Sequence, residues 1–131
     1  MTLSTFHEAL EGGFGWYDYH LHQFKAGGKV WVPGSMDESD DLPMANEDKI
    51  TIGRVLRTVG DSMLYTYDFG DNWRHKVTLE RVIPDAAAVF PDVSCLAGRR
   101  AGPPENCGGP GGYPRKLQVI GDPEDEEYAE I

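Results

Sequence analysis

Cysteine is scarce in this chain: Cys95 and Cys107 are the only two thiols in 131 residues. That is too few for the disulfide-dense framework of a small exported domain, so free thiols and a cytoplasmic location are expected. Long apolar runs are missing too. None approaches the roughly 18 residues that a membrane helix requires, and residues 1–10 lack a basic segment followed by an apolar one. Neither a membrane span nor an export signal is expected. The length leaves no room for two sizeable domains, so residues 1–131 are read as one domain with a modest core.

Basic residues are absent where the acids concentrate. Six of the 22 acids fall in residues 37–48 and six in residues 122–131, and neither stretch contains Lys or Arg. The remaining sequence holds ten acids against all twelve bases, so the net charge of -10 belongs to an acidic loop and an acidic tail. Solvated acidic segments keep a protein soluble and away from phosphate backbones; a basic partner or a hard cation is the alternative. A calcium loop is excluded for 37–48, which has Pro43 and no Gly for the sharp turn.

Leu3, Phe6 and Leu10 make a partial helical stripe, Thr5 and Glu8 have capping-box spacing, and Gly12-Gly13 can stop the helix. A helix over about 4–12 follows. Residues 20–25 and 29–32 read as strands joined through Ala26-Gly27-Gly28. Ile52, Val55, Leu56 and Val59, behind Thr51, have the clearest helical spacing in the chain. Met63, Tyr65 and Tyr67 then alternate as a strand with one buried face. Trp73, His75, Val77 and Leu79 do the same beyond the turn 68–72, giving a second hairpin. Pro and Gly turn the last third into loop, apart from a short helix over about 116–120 starting near Pro114. These elements predict an α+β fold: a mainly antiparallel sheet of two hairpins with short helices on one face.

No complete catalytic motif is present. The segment 67–75 gathers Asp68, Asp71, Trp73 and His75 around one turn. Asp, Gly and Asn are also what a hairpin turn requires, and a histidine on an alternating strand is commonly a hydrogen-bonded core residue. The stretch 103–113 carries Glu105, Asn106, Cys107 and Tyr113 among ordered prolines and glycines, so it reads as a loop of fixed shape. Its glycines allow close backbone approach to a ligand or to another chain, and consecutive N–H groups can form an anion-binding nest. It lacks the Gly-Lys-Ser/Thr ending of a phosphate loop. Cys95 and Cys107 with His75, or with His20 and His22, make a possible zinc set, although no Cys-x-x-Cys knuckle supports it. A Cys107–His nucleophile pair lacks a base nearby in sequence.

Three segments, TFHEALEGGFGWYDYHLHQF (5–24), LYTYDFGDNWRHKVTLE (64–80) and CLAGRRAGPPENCGGPGGY (95–113), resemble in order the plasmid pRiA4b ORF-3-like family. The resemblance implies an α+β domain found on plasmids and beside transposon genes, and implies no substrate. Family members usually begin with an extra strand pair and continue into a helical tail, and they carry Asp where Asn106 stands. A shortened member would leave a sheet edge unpaired, so a homodimer through that edge, or a marginal monomer, is expected.

The functional expectation is a non-enzymatic binding or accessory module of mobile-element context. Its surface would join the 68–75 turn to the 103–113 loop through Asp68, Asp71, Trp73, His75, Glu105, Cys107 and Tyr113. If nucleic acid binds, Arg99, Arg100, Arg115 and Lys116 would contact phosphates. The rivals are a metal-assisted or acid-base hydrolase using Asp71, His75 and Glu105, and a purely structural role for both motifs.

Overall fold

The computed structural model describes residues 1–34, 44–83 and 93–130. The expected loop residues 37–43 lie outside this set. Helix α1 spans Leu3–Phe14, longer than the sequence pattern predicts. Its cap is Thr2, whose hydroxyl accepts from the Thr5 N–H, rather than Thr5 itself. Gly12 and Gly13 stay helical, and the stop falls at Gly15, which takes the left-handed conformation at φ 76°.

Strands β1 (His22–Ala26) and β2 (Lys29–Val32) form the first hairpin. Positive φ at both Gly27 and Gly28 suits a two-residue turn that follows the natural strand twist. Strands β4 (Ser62–Tyr67) and β5 (Trp73–Thr78) form the second, in the register Tyr67 opposite Trp73 and Tyr65 opposite His75. Asp68 shapes its turn by accepting from the Gly70 and Asp71 N–H groups. β1 and β4 join the hairpins antiparallel, and β3 (Met44–Asn46) adds to β2 in parallel. The fold is therefore α+β with a five-stranded mixed sheet in the order β3-β2-β1-β4-β5. The two expected hairpins make four of the five strands, and the parallel β3 is an addition to the mainly antiparallel two-hairpin sheet that the sequence predicts.

Helix α2 is one turn, Ile52–Val55, and stops short of Leu56 and Val59, which the helical spacing includes. The reason is Asp61: its Oδ2 accepts from the Arg57 and Thr58 N–H groups at 2.9 Å each, diverting the backbone into a turn. Helix α3 spans Gly109–Ile120 and absorbs part of the glycine stretch expected to be loop. Pro110 occupies its first turn, where a missing N–H is tolerated, while Pro114 lies inside and leaves the Pro110 carbonyl without its helical donor.

Cross-strand partners share a face, so the register stacks Trp31, Phe24, Tyr65 and His75 in one row and His22, Tyr67 and Trp73 in the next. Helix α1 lies over these rows: Leu3 is fully buried, and Phe6, Leu10 and Phe14 pack on the cluster of Phe24, Met63, Tyr65 and Tyr67. Burying each large side chain contributes about 1.5–3 kcal/mol. No helix among the described residues is long and apolar enough to cross a membrane.

Candidate functional site

The 68–75 turn and the 103–113 loop meet. Asp71 Oδ2 accepts from the Gly108 N–H at 3.2 Å, the Tyr67 hydroxyl donates to Glu105 Oε1, and Trp73 meets Tyr113 edge-on at 6.1 Å. Beside this junction is a cleft of about 400 Å³ lined by Pro104, Glu105, Cys107, Tyr113, Lys116 and Ile120. Burial and the Glu105 bond push the Tyr67 hydroxyl upward, keeping it a donor. The other carboxylate oxygen of Glu105 is buried and has no partner among the described residues.

Of the other residues picked out from the sequence, Asp68, His75, Cys95, Arg99, Arg100 and Arg115 do not line the cleft. Asp68 is buried, with Oδ2 3.5 Å from His20 Nε2. His75 is a core histidine: its Nδ1–H donates to the Tyr65 carbonyl at 3.1 Å, and its ring packs on Phe14, Trp16 and Tyr65. Burial lowers its pKa. Arg99 and Arg100 line a separate groove along α1 with Phe6, Leu10, Phe14 and Cys95. Arg115 is engaged by Asp125 and Glu127. Cys95 is exposed and Cys107 buried, and burial raises the Cys107 thiol pKa, which disfavours a thiolate ligand. Among the described residues, neither Cys95, Cys107 and His75 nor Asp71, His75 and Glu105 form a three-donor metal group.

A different polar cluster lies between α1 and the sheet. His7 and Glu11 stand one turn apart on the same buried helix face as Leu3. His22 opens β1, Tyr65 lies on β4, Asp18 follows the Gly15 stop, and Glu47 begins a 3-10 turn (Glu47–Lys49) after β3. His7, Glu11, His22 and Glu47 are each at most 4% exposed. Glu47 thus departs from the expected solvated acidic loop, because the parallel pairing of Asn46 with Val32 carries it inward.

Its hydrogen bonds form two chains. His7 Nε2 lies 2.9 Å from Asp18 Oδ1 and its Nδ1 lies 2.7 Å from the Tyr65 hydroxyl, which donates to Glu11 Oε1 at 3.0 Å. Glu11 Oε2 accepts from the Asp18 backbone N–H. His22 Nε2–H donates to both Glu47 oxygens, at 2.8 and 3.0 Å. Burial lowers the His7 pKa, with the neighbouring His22 adding to it, and burial raises that of Glu11. Asp18 holds a left-handed backbone at φ 58°, the kind of strained position found at functional sites. Sequence reasoning passed over His7, Glu11, Asp18 and Glu47. The available signal was His7 and Glu11 at helical spacing from Leu3, a polar pair on an otherwise apolar face.

Comparison with known proteins adds kinship. The family model for plasmid pRiA4b ORF-3-like protein matches residues 1–131. Uncharacterized protein y4hQ of Sinorhizobium fredii (strain NBRC 101917 / NGR234) is 34% identical over 130 residues, covering 99% of this chain and 66% of that protein. The chain thus spans just under two thirds of that relative's length. The crystal structure of a protein of unknown function, MM3350 from Methanosarcina mazei Go1, aligns at 37% identity with a TM-score of 0.80, over 98% of this chain and 72% of the other. With the full length of the chain matched and the same fold in a relative, this protein belongs to the plasmid pRiA4b ORF-3-like family.

Proposed function

We propose that the protein is a non-enzymatic binding module of plasmid or transposon context that receives a basic segment of a partner protein in the cleft between the 68–75 turn and the 103–113 loop. The observation that carries this reading is the buried Oε2 of Glu105, which has no partner among the described residues, at the cleft. A buried acceptor without a donor is costly, and an incoming Lys or Arg side chain removes that cost. Glu127 and Glu130 also line the cleft against a single cation, Lys116, so its charge favours a basic ligand. Pro104, Tyr113 and Ile120 supply the apolar wall that the ligand's methylene stem covers.

In this reading Asp68 and Asp71 shape the turn, Trp73 backs Tyr113, and Glu105, Cys107 and Tyr113 face the ligand. Nucleic acid is the weaker partner, because Arg99 and Arg100 line another groove and Arg115 is already paired with acids. A second copy of the chain belongs among the proposed partners at β5, an outer strand of the sheet. Light scattering reads that directly, a dimer supporting it and a monomer at micromolar concentration removing it.

The test of the cleft is an NMR titration of the labelled protein with Lys- and Arg-rich peptides. Amide shifts centred on Gly108, Gly109 and Tyr113, weakened by salt and abolished by Glu105→Gln, are expected. No shifts at low salt, or shifts that Glu105→Gln leaves intact, would overturn the reading.

A further inference from the structure

Beyond the cleft, we infer that His7, Asp18 and His22 form a binding site for one divalent first-row transition-metal ion of the zinc class. One donor atom from each of the three lies within 4.8 Å of the others, and they are the set among the described residues that does so. None of them lines the cleft described above. Ligand atoms on a single zinc ion stand about 3.3 Å apart, the spacing set by bonds near 2.0–2.1 Å in tetrahedral geometry. The three must therefore close by up to about 1.5 Å, through a tilt of the imidazoles and a turn of the exposed Asp18 side chain.

The hydrogen bonds around the three assign which atom of each is free to ligate. Glu47 occupies Nε2 of His22 and leaves Nδ1 with its lone pair. Tyr65 occupies Nδ1 of His7 and leaves Nε2 aimed at Asp18 Oδ1, 2.9 Å away. Because the Tyr65 hydroxyl gives its proton to Glu11, the His7 Nδ1–H donates to the Tyr65 oxygen, and the Nε2 lone pair that faces Asp18 is the one a metal ion takes. Glu11 completes the frame by receiving the Tyr65 hydroxyl with one oxygen and the Asp18 backbone N–H with the other. Metal-binding histidines characteristically have the second ring nitrogen tied to a carboxylate or another oxygen, and both histidines here are so tied.

The ring stacking defines the rearrangement that binding requires. The His7 and His22 centroids are 3.4 Å apart with planes 8° from parallel, deep under α1. The lone pairs of imidazole lie in the ring plane, so binding one ion requires these two rings to tilt out of parallel until their nitrogens converge. Two imidazoles and one carboxylate suit zinc, cobalt or iron(II) and not calcium or magnesium, which take oxygen donors. The Asp18 side chain is 62% exposed, so the fourth ligand position opens to water.

The experiment uses full-length protein purified without nickel, stripped with chelator and titrated with Zn²⁺ against a chromophoric competitor, with native mass spectrometry for stoichiometry. One Zn²⁺ per chain is expected. Asp18→Asn, which alters an exposed side chain and should fold, is expected to weaken binding on the order of 100-fold, and Glu47→Gln about 10-fold. Cys95→Ser and Cys107→Ser should bind as the wild type does, and the Co²⁺ form should show ligand-field bands without a thiolate charge-transfer band. Failure of the folded wild type to take up Zn²⁺ overturns the site. So does uptake that Asp18→Asn leaves unchanged, which marks the surface acids as the binders, or uptake lost in the cysteine variants.

Discussion

The Nε2 of His22 sits 2.8 Å from one carboxylate oxygen of Glu47 and 3.0 Å from the other, although 25 positions separate the two residues in the chain. Both side chains are nearly closed to solvent, at 5% and 4% exposure. This contact holds the Glu47–Lys49 turn against the first strand and makes Glu47 a structural acid. Glu47→Ala leaves the buried His22 N–H unpaired and is expected to lose about 1–3 kcal/mol of stability, while Glu47→Gln keeps an acceptor and loses less. Urea unfolding followed by tryptophan fluorescence on chelator-treated protein measures both. Equal, negligible losses would place residue 47 in solvent.

His75 predicts an acid-sensitive fold. Its folded pKa is lowered by burial, so between that value and the unfolded value near about 6.5 the unfolded chain binds more protons. The contribution of His75 is thus fully present above about pH 6.5 and is lost as pH falls through the window below it. His75→Gln, which keeps a donor for the Tyr65 carbonyl but does not titrate, should lose less stability than the wild type between pH 7.5 and 5.5. Burial lowers His7 as well, so the slope is expected to shrink and not to vanish. Thermal melts of both proteins at the two pH values give the comparison, and parallel losses would show that His75 is not the titrating group.

The second hairpin was legible because its two strands alternate strictly and its turn carries residues that fold back on their own backbone. The register of Tyr65 with His75 then follows from a five-residue turn. Helix α2 misleads because four apolar residues keep helical spacing while one carboxylate, Asp61, captures two N–H groups and ends the helix. Glu47 was hidden among acids of no distinguishing pattern, and its burial depends on a three-residue parallel strand that periodicity is too short to reveal. His7 and Glu11 were obscured because a stripe of Leu3, Phe6 and Leu10 accounts for the helix without them. The polar cluster is a product of tertiary contacts between four separate segments, so no single stretch announces it.

Gly109 and Gly111, two positions apart at the start of α3, should respond oppositely to alanine. Gly109 has φ +66°, and a Cβ there would collide with the Asp71 carbonyl, the point where the turn meets the loop. Gly111 has open space around its Cα and an ordinary helical setting. Gly109→Ala should destabilise by at least about 1–2 kcal/mol from the left-handed backbone alone. Gly111→Ala should stabilise by about 0.5–1 kcal/mol. Denaturant midpoints of the two variants decide it, and a neutral Gly109→Ala would mean that the turn and the loop are not in close contact.

Asp18 combines an unusual backbone with a proposed ligand, and two substitutions separate these roles. Glycine accepts φ 58° freely, whereas alanine is strained there by about 1–2 kcal/mol. Both remove the carboxylate that faces His7 Nε2 and leave the same gap beside it. Asp18→Gly is therefore expected to unfold at higher urea than Asp18→Ala in metal-free protein, while the two lose Zn²⁺ affinity to the same degree. Stabilisation by added Zn²⁺, which follows mass action on the folded form, should be present in the wild type and missing from both variants. If Asp18→Gly kept the zinc response, the left-handed backbone at residue 18 would have to serve the local turn alone, with the carboxylate playing no part in holding the ion.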